Sequence, residues 1–385
     1  MRIGFDASGI SSYCGIHTYS RELIRHLLQE FPEDRFVLLS TYSKSRKRKL
    51  RQEFGIHQNL EIRSVLPNRL ALGSSFIKLI LFLRSMIIRH QANSFDILHI
   101  TKPFAERTGA RNSVITVQDL FPLTLDDYQG EDAKKEFDSN VAFILEESKA
   151  IIVPTEYTAN QLCGLYPEVR GKVNVVPLAA GSGFRQERNS PPESLRKVLP
   201  EGISYFLYVG SAYPRKNLDR VLEAYLALPE TQKKKHFLVL LLTGVASHLS
   251  DFKERNRNTL SEPNIIVLDS VSEEELVRLY SSAVAFLFPS LDEGFGLPII
   301  EAMRCGCPVI TSNVSCMPEV AGDAAILVDP FSVKSIARGL EQAAFDMELR
   351  TRMIEKGRER RKLFTWQNSA DQLWEVIEKV LNDKK

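Results

Sequence analysis

At residues 204–225 the sequence reads "SYFLYVGSAYPRKNLDRVLEAY", and this stretch decides the fold. Its first part, 204–211, is a continuous apolar run, which is typical of a strand buried on both faces. A short polar loop and a longer helical pattern come next. Because strands of this kind alternate with helices along the whole chain, we predict parallel sheets that are covered by helices on both sides.

The apolar runs fall into two groups. The first group is 2–7, 35–40, 60–65, 95–100, 113–119, 150–155 and 172–178, and the second is 204–211, 236–244, 264–270, 284–290, 307–313 and 324–330. Between them lies a stretch rich in Gly, Pro, Ser and charged residues, which indicates a linker at 184–201. We therefore predict an α/β protein with doubly wound domains at 1–183 and 202–364 and a final helix within 365–385.

The composition excludes several classes of protein. The chain has 385 residues and a net charge of +2, so it is not built as a whole around a polyanionic partner. Its five cysteines suggest neither a disulfide framework nor a zinc site, which fits a reducing cytosol. We expect the first residues to form a strand and not a signal peptide. The most apolar stretch, 76–88, is short and interrupted by Lys78 and Arg84, so it is not expected to span a bilayer.

Polar side chains follow several predicted strands, at the edge of the sheet where ligands bind in such folds. Arg215 and Lys216 follow strand 204–211 and suit a phosphate, although a solvated surface pair is an equal alternative. Gln118 and Asp119 end a strand of the first domain. They could bind a substrate hydroxyl, or Asp119 could cap the next helix.

A glycine-containing loop follows the first strand, with Gly9 and Gly15 ahead of an apolar helical stripe. A helix N-terminus after such a loop offers free backbone N–H groups and a positive dipole end to a phosphate. The pattern is not G-x-G-x-x-G, and an ordinary strand-to-helix turn explains it as well.

A further motif, "DEGFGLPIIEAM" at 292–303, also follows a predicted strand. Gly294 and Gly296 permit positive φ or a close approach, and Pro298 suits the first position of a helix. Glu301 would then lie in the first helical turn. The N–H groups that would face the ligand side are those of Phe295, Gly296 and Leu297. The alternative is that the acids and glycines here only begin a helix.

Several common site motifs are absent from the sequence. It has no Asp-x-Asp pair for a divalent metal, no G-x-x-x-x-G-K-[ST] phosphate loop, no G-x-S-x-G elbow and no H-E-x-x-H pair. A metal site of the strand-end kind is therefore not expected.

Together these stretches resemble the retaining family 4 glycosyltransferases, also called group 1, and their mannosyltransferase-like members. Residues 293–301 resemble the family's E-x7-E signature, which continues here as "EAMRCGCPVITSNVSCMPEVAGDAAILVDP". The segment "YVGSAYPRKNLDRVLEAY" is similar to the family's donor-phosphate segment, and the N-terminal "IGFDASGI" and "CGIHTYSREL" are similar to its glycine loop. The match extends from Met1 to the C-terminal "FTWQNSADQLWEVI".

The resemblance implies a GT-B fold, in which two Rossmann-like domains face each other across a cleft and the last helix crosses back to the first domain. It implies transfer of a hexose from a nucleotide diphosphate-sugar, with retention of the anomeric configuration and without a metal or other cofactor. The first domain would bind the acceptor and the second domain the donor.

The resemblance also implies roles for individual residues. The catalytic set would be Glu293, Arg215, Lys216, Gln118 and Asp119, and the donor-binding set would be Gly15, Phe295, Gly296, Leu297 and Glu301. Arg215 and Lys216 would hold the diphosphate and stabilise the departing nucleotide. Glu293 would contact hydroxyls of the donor sugar, and Glu301 those of the ribose. Gly15 would let its loop approach the donor phosphate.

Two positions depart from the family pattern. Many relatives carry His-Asp where this chain has Gln118-Asp119, and a glutamine can bind a hydroxyl but cannot be protonated. His17 stands where relatives often have an arginine.

The best interpretation is a mannosyltransferase that uses GDP-mannose and a glycan or lipid-linked acceptor in the synthesis of cell-envelope polysaccharide or lipopolysaccharide. A GT-B nucleotide-sugar epimerase is one alternative, and a catalytically silent GT-B binding protein is another. The intact Arg215, Lys216, Glu293 and Glu301 argue against the silent protein, whereas Gln118 leaves it open.

A basic segment of the first domain raises a further hypothesis. Residues 44–51 are dense in Lys and Arg, and 68–90 combine a long apolar stripe with further cations. Such segments can lie on an anionic membrane, which would place a cytoplasmic enzyme at the inner face of the plasma membrane. Alternatively, 76–88 is a core helix and 44–51 a solvated loop. No aromatic platform accompanies the basic patch, so nucleic acid is not expected as a partner.

Overall fold

The computed structural model describes residues 1–6, 15–41, 44–55, 57–65, 86, 89–101, 109–124, 138, 141–142, 145–187 and 190–383. The chain divides into two compact units. Unit 1 contains Met1–Leu178 and Trp366–Lys385, and unit 2 contains Ala179–Thr365.

Unit 1 contains a seven-stranded parallel sheet. Its strands are β1 (Arg2–Asp6), β2 (Arg35–Thr41), β3 (Leu60–Val65), β4 (Ile97–Ile100), β5 (Ser113–Thr116), β6 (Ala150–Val153) and β7 (Val173–Val175). The helices between them are α1 (Gly15–Glu30), α2 (Lys44–Phe54), α3 (Phe121–Thr124) and α4 (Glu156–Leu165). The strand order is β3-β2-β1-β4-β5-β6-β7, so the direction of winding reverses between β1 and β4.

Unit 2 contains a six-stranded parallel sheet. Its strands are β8 (Ser204–Ser211), β9 (His236–Thr243), β10 (Ile265–Leu268), β11 (Ala285–Phe288), β12 (Val309–Ser312) and β13 (Ala325–Val328). Its helices are α5 (Glu193–Arg196), α6 (Leu218–Leu226), α7 (Glu230–Lys233), α8 (Ala246–Arg255), α9 (Arg257–Leu260), α10 (Glu273–Ser282), α11 (Leu297–Arg304), α12 (Met317–Ala321), α13 (Val333–Phe345) and α14 (Met347–Arg360). The order is β10-β9-β8-β11-β12-β13, which reverses between β8 and β11.

The last helix, α15 (Trp366–Asn382), belongs to unit 1 although it follows unit 2 in the chain. Its aromatic side chains account for this position. The ring of Trp374 stacks on that of Phe31 with the ring centroids 3.6 Å apart, and Trp366 contacts Tyr19 of α1. The Ser369 hydroxyl donates a hydrogen bond to a backbone carbonyl of unit 1, that of Pro177, at 2.6 Å.

The prediction of two doubly wound α/β domains is confirmed, and each predicted strand is present. Several strands are shorter than their apolar runs, since the strand at 113–119 ends at Thr116 and the strand at 172–178 is reduced to Val173–Val175. A run of apolar residues continues into a buried loop as readily as along a strand, so composition overestimates the strand length.

The structure differs from the predicted linker at 184–201. The chain passes from one unit to the other between Leu178 and Ala179, and 184–201 belongs to unit 2. The side chains of Leu195 and Leu199 are buried there, and the guanidinium of Arg278 donates to the hydroxyl of Ser190 at 3.1 Å. Apart from the short helix α5, the described part of this segment is irregular backbone, as its Pro- and Ser-rich composition indicates, but the two buried leucines hold it against unit 2.

Candidate active site

The candidate site lies at the carboxyl ends of β8 and β11, the two strands between which the order of the unit 2 sheet reverses. In doubly wound sheets this is the point where ligands bind. The strands are hydrogen-bonded neighbours, with Leu287 opposite Tyr208. Their following loops also meet, because the N–H of Leu291 donates to the carbonyl of Arg215 at 2.7 Å. The topology thus brings two distant sequence motifs together.

A short 3₁₀ turn, Pro214–Lys216, carries both cations of the β8 loop. Proline suits the start of such a turn because its φ is already set and it has no N–H to satisfy. The turn ends at Asn217, which has φ +60° and donates its N–H to the carbonyl of Pro214 at 3.0 Å. This tight turn presents Arg215 and Lys216 to the loop after β11.

Three charged side chains form an ion cluster, defined as Arg215, Lys216 and Glu293. One carboxylate oxygen of Glu293, Oε2, lies 2.9 Å from Nη1 of Arg215, and the other, Oε1, lies 2.5 Å from Nζ of Lys216. The side chains are only 16%, 13% and 8% exposed, respectively. The two cations are therefore not a solvated surface pair.

Burial and mutual attraction shift the pKa values of Glu293 and Lys216 in opposite directions. Burial opposes ionisation of Glu293, but the charges of Lys216 and Arg215 outweigh it and hold the pKa of the carboxyl below its usual value. Burial lowers the pKa of Lys216, and Glu293 offsets part of this shift. The ammonium also lies 4.8 Å from the centroid of the Phe288 ring, a favourable position for a cation.

The helix after the motif, α11, begins one residue earlier than predicted. Its first residue is Leu297, so Pro298 occupies the second position and Glu301 lies in the second turn. Gly296 stands before the helix with φ +83°, a conformation that glycine adopts without strain. The first N–H groups of a helix have no partner within the helix, so the backbone at 295–297 can accept an anionic ligand.

Glu301 differs from Glu293 in having no cation in hydrogen-bonding contact among the described residues. It is half-buried, and the hydroxyl of Tyr280 donates to its Oε2 at 3.3 Å. Burial raises the pKa of the Glu301 carboxyl to about 7, although the hydrogen bond from Tyr280 lowers it. Near neutral pH, both the charged and the neutral form of this carboxyl are therefore populated.

The predicted residues of unit 1 are placed only in part. Gln118 and Asp119 lie beyond the end of β5 and are half-buried. The side-chain nitrogen of Gln118 is buried and forms no hydrogen bond with the residues that the structure describes. Gly15 is the first residue of α1, whereas the loop at 7–14, with Gly9, and the side chain of His17 lie outside the described residues.

Sequence reasoning missed a buried polar group at the end of β5, two residues before Gln118. The hydroxyl of Thr116 in β5 lies 2.8 Å from that of Tyr19 in α1 and 2.7 Å from Nε2 of His99 in β4. Burial lowers the pKa of His99 to about 3, so this histidine is neutral. The group ties α1 to the strands that end near Gln118, and only the strand order reveals it.

The chain belongs to the family "Glycosyl transferases group 1", which matches residues 192–360. It is therefore a glycosyltransferase, as the motifs after β8 and β11 predict.

Two curated relatives from Escherichia coli are mannosyltransferases by name. O-antigen chain mannosyltransferase B is 32% identical over 265 residues, which cover 68% of this chain and 68% of that protein. Serotype-specific mannosyltransferase WbdA is 28% identical over 281 residues, which cover 71% of this chain and 34% of that protein. The chain thus matches only about a third of the length of the second relative.

A solved structure shows the same fold. Anabaena HepE, determined in complex with UDP-glucose, aligns with a TM-score of 0.74 at 14% sequence identity and covers 98% of this chain and 99% of that chain. The GT-B prediction is confirmed by this likeness together with the two parallel sheets.

Proposed function

We propose that this glycosyltransferase transfers mannose from GDP-mannose to a glycan or lipid-linked acceptor in the synthesis of cell-envelope polysaccharide or lipopolysaccharide. The ion cluster at the carboxyl ends of β8 and β11 is the observation that carries the transfer step. The names of the two E. coli relatives support mannose as the sugar, and the name of the first supports O-antigen as the class of product.

In this proposal the cations of the ion cluster hold the diphosphate of the donor. Phosphate oxygens would take the place of the Glu293 carboxylate on Arg215 and Lys216. Positive charge at that point stabilises the nucleotide as it leaves, and buried charges act more strongly than solvated ones. Glu293, once released, would accept hydrogen bonds from hydroxyls of the donor sugar.

The remaining donor contacts lie on α11. The N–H groups at 295–297 would face the diphosphate, and Glu301 would accept hydrogen bonds from the ribose hydroxyls in its charged form. We propose that the configuration at the anomeric carbon is retained, with the leaving phosphate assisting deprotonation of the acceptor on the same face. The two cations would supply the charge that a metal provides elsewhere, so the proposal needs no metal.

A transfer assay would test the choice of donor. Purified protein is incubated with GDP-mannose, UDP-glucose or UDP-galactose and a mannose-terminated oligosaccharide, and both free nucleotide and glycosylated acceptor are measured. We expect acceptor-dependent GDP release with GDP-mannose only. Release from a UDP-sugar alone would contradict mannose, whereas epimerised donor without transfer would indicate an epimerase.

We also propose that the protein acts at the inner face of the plasma membrane, with the basic surface of α2 on anionic lipid. Arg48, Lys49 and Arg51 are exposed on this helix, whereas Leu50 and Phe54 are buried beneath it. Glu53, near the end of α2, does not cancel this positive charge, because its carboxylate already forms an ion pair with Arg25 at 2.8 Å.

The other predicted membrane segment, 68–90, lies outside the described residues except for 86, 89 and 90. In the part of the chain that the structure describes, no helix is sufficiently long and apolar to span a bilayer. The membrane proposal therefore rests on surface charge.

Sedimentation with vesicles that contain phosphatidylglycerol tests this proposal. Reversal of the exposed α2 charges (Arg48→Glu, Lys49→Glu and Arg51→Glu) is expected to abolish most of the binding, because each cation near an anionic surface contributes about 1 kcal/mol. Reversal of three exposed cations of unit 2, Lys234, Lys235 and Arg257, serves as the control. Equal binding of the α2 variant and the wild type would refute the proposal.

A further inference from the structure

Two non-glycine residues among those the structure describes have a positive φ, and both lie at the ion cluster. Asn217 and Ser315 each have φ +60°. Asparagine tolerates this left-handed conformation better than most residues, whereas serine adopts it at a cost. Backbone strain of this kind persists where the surrounding contacts require it, and it concentrates at functional sites.

Asn217 joins the loops that follow three strands of the unit 2 sheet. Its side-chain nitrogen donates to the carbonyl of Pro289, just after β11, at 2.9 Å and to that of Pro330, just after β13, at 2.7 Å. Its side-chain oxygen accepts from Nη1 of Arg220 at 2.9 Å. The residue is only 4% exposed and immediately follows Lys216, so its position determines where the cations lie relative to β11.

Ser315 holds the other side of the ion cluster. Its hydroxyl oxygen accepts from the N–H of Glu293 at 3.1 Å, and the hydroxyl donates to the carboxylate of Asp292 at 2.7 Å. The loop after β12 thereby determines the position of the Glu293 backbone. Without this contact, the glutamate would be free to move relative to the two cations.

We propose that Asn217 and Ser315 are positioning residues, which hold the two cations and Glu293 in the relative placement that the donor diphosphate requires. The reason is geometric. The cations follow β8 and the carboxylate follows β11, so the cluster is only as well ordered as the contacts that join the loops. Asn217 makes those contacts from the cationic side, and Ser315 makes them from the acidic side.

A double-mutant cycle on thermal stability tests this inference without any ligand. Asn217→Gly and Ser315→Gly remove the side chains but keep a residue that adopts φ +60° freely, so the backbone itself is not strained. Each variant is combined with Glu293→Gln, which removes the charge of the cluster. If the residues position the cluster, the melting shift of each double variant should fall short of the sum of the single shifts by roughly 2–4 °C.

A matched control comes from the opposite end of the same sheet. The hydroxyl of Tyr225 also lies within hydrogen-bonding distance of two backbone carbonyls, those of His236 at 3.0 Å and Asn264 at 3.1 Å, at the amino ends of β9 and β10. Tyr225→Phe should lower the melting temperature, but its shift should add to that of Glu293→Gln within about 1 °C.

Turnover gives a second readout, which rests on the proposed function. Both glycine variants are expected to lose about 10- to 100-fold in kcat, the cost of a small misplacement of the catalytic groups, while Tyr225→Phe keeps its kcat. Additive melting shifts for both variants would overturn the positioning role. Non-additive shifts in a protein that transfers no mannose would refute the proposed donor and leave the positioning role intact.

Discussion

Replacement of Lys216 by alanine is expected to lower the rate of sugar transfer by roughly 10²-fold or more. Removal of one group that stabilises transition-state charge has an effect of this size in other enzymes. The Lys216 side chain is only 13% exposed and its Nζ lies 2.5 Å from Oε1 of Glu293, so solvent compensates little for the loss of this charge. The loss should appear mainly in kcat, because negative charge on the diphosphate grows as the nucleotide departs. Initial rates at saturating donor would measure it.

The matched control is Lys253→Ala. This lysine also forms an ion pair at 2.5 Å, with Asp269, but its side chain is 41% exposed and its partner 78%. Exposed pairs contribute little, so turnover should stay within twofold of the wild type. Near-normal transfer by the Lys216→Ala protein would contradict the role assigned to the ion cluster.

Glu293→Gln is expected to reduce transfer and stability together while leaving the protein able to bind nucleotide. The substitution keeps the shape of the side chain but leaves two buried cations without their counter-ion. Breaking a buried pair in this way costs on the order of 3 kcal/mol, which corresponds to roughly 6–12 °C in melting temperature for a unit of this size. Saturating GDP should stabilise the variant more than it stabilises the wild type, because the diphosphate restores the missing negative charge.

The pH dependence of GDP binding shows whether Glu293→Gln acts through the lost negative charge or through a loss of packing. Glu293 raises the pKa of Lys216 against the effect of burial, so removal of the carboxylate should lower that pKa further. As the pH is raised, the variant should therefore lose GDP affinity at a lower pH than the wild type does. Calorimetric titrations between pH 7 and 10 would measure this.

Glu223→Gln is the control for this experiment, since Glu223 is exposed on α6 and lies outside the ion cluster. This substitution should change neither the melting temperature nor the pH above which GDP affinity is lost. If the Glu293→Gln variant and the wild type lost GDP affinity at the same pH, the carboxylate would not control the charge of Lys216.

The fold could be predicted almost completely from the sequence, and the reason lies in the strands. A strand buried on both faces must be apolar throughout. Runs such as 204–211 and 236–244 can therefore be recognised as strands from the local sequence alone. The ends of these elements were less predictable. The segment 184–201 has the composition of a linker, yet Leu195 and Leu199 are buried in unit 2.

The sequence singles out candidate residues for the site, but it does not show which of them are in contact. Arg215, Lys216, Glu293 and Glu301 stand out because they follow strands in a fold that binds ligands at strand ends. The order of the strands cannot be read from the apolar runs, so nothing in the sequence places Lys216 in contact with Glu293. For the same reason the roles of Asn217 and Ser315 could not be predicted, because their hydrogen-bond partners lie many residues away in the chain.

The sequence by itself determined that this is an α/β protein with two doubly wound units, because apolar runs are a local property, and the glycosyltransferase activity followed from the resemblance of its motifs to a known family. Only the tertiary structure decided what the two glutamates of "DEGFGLPIIEAM" are. Glu293 is an anion held between two buried cations, whereas Glu301 has its pKa raised to about 7 by burial. The charge state of a carboxyl depends on the groups packed around it, and the order of the strands places those groups.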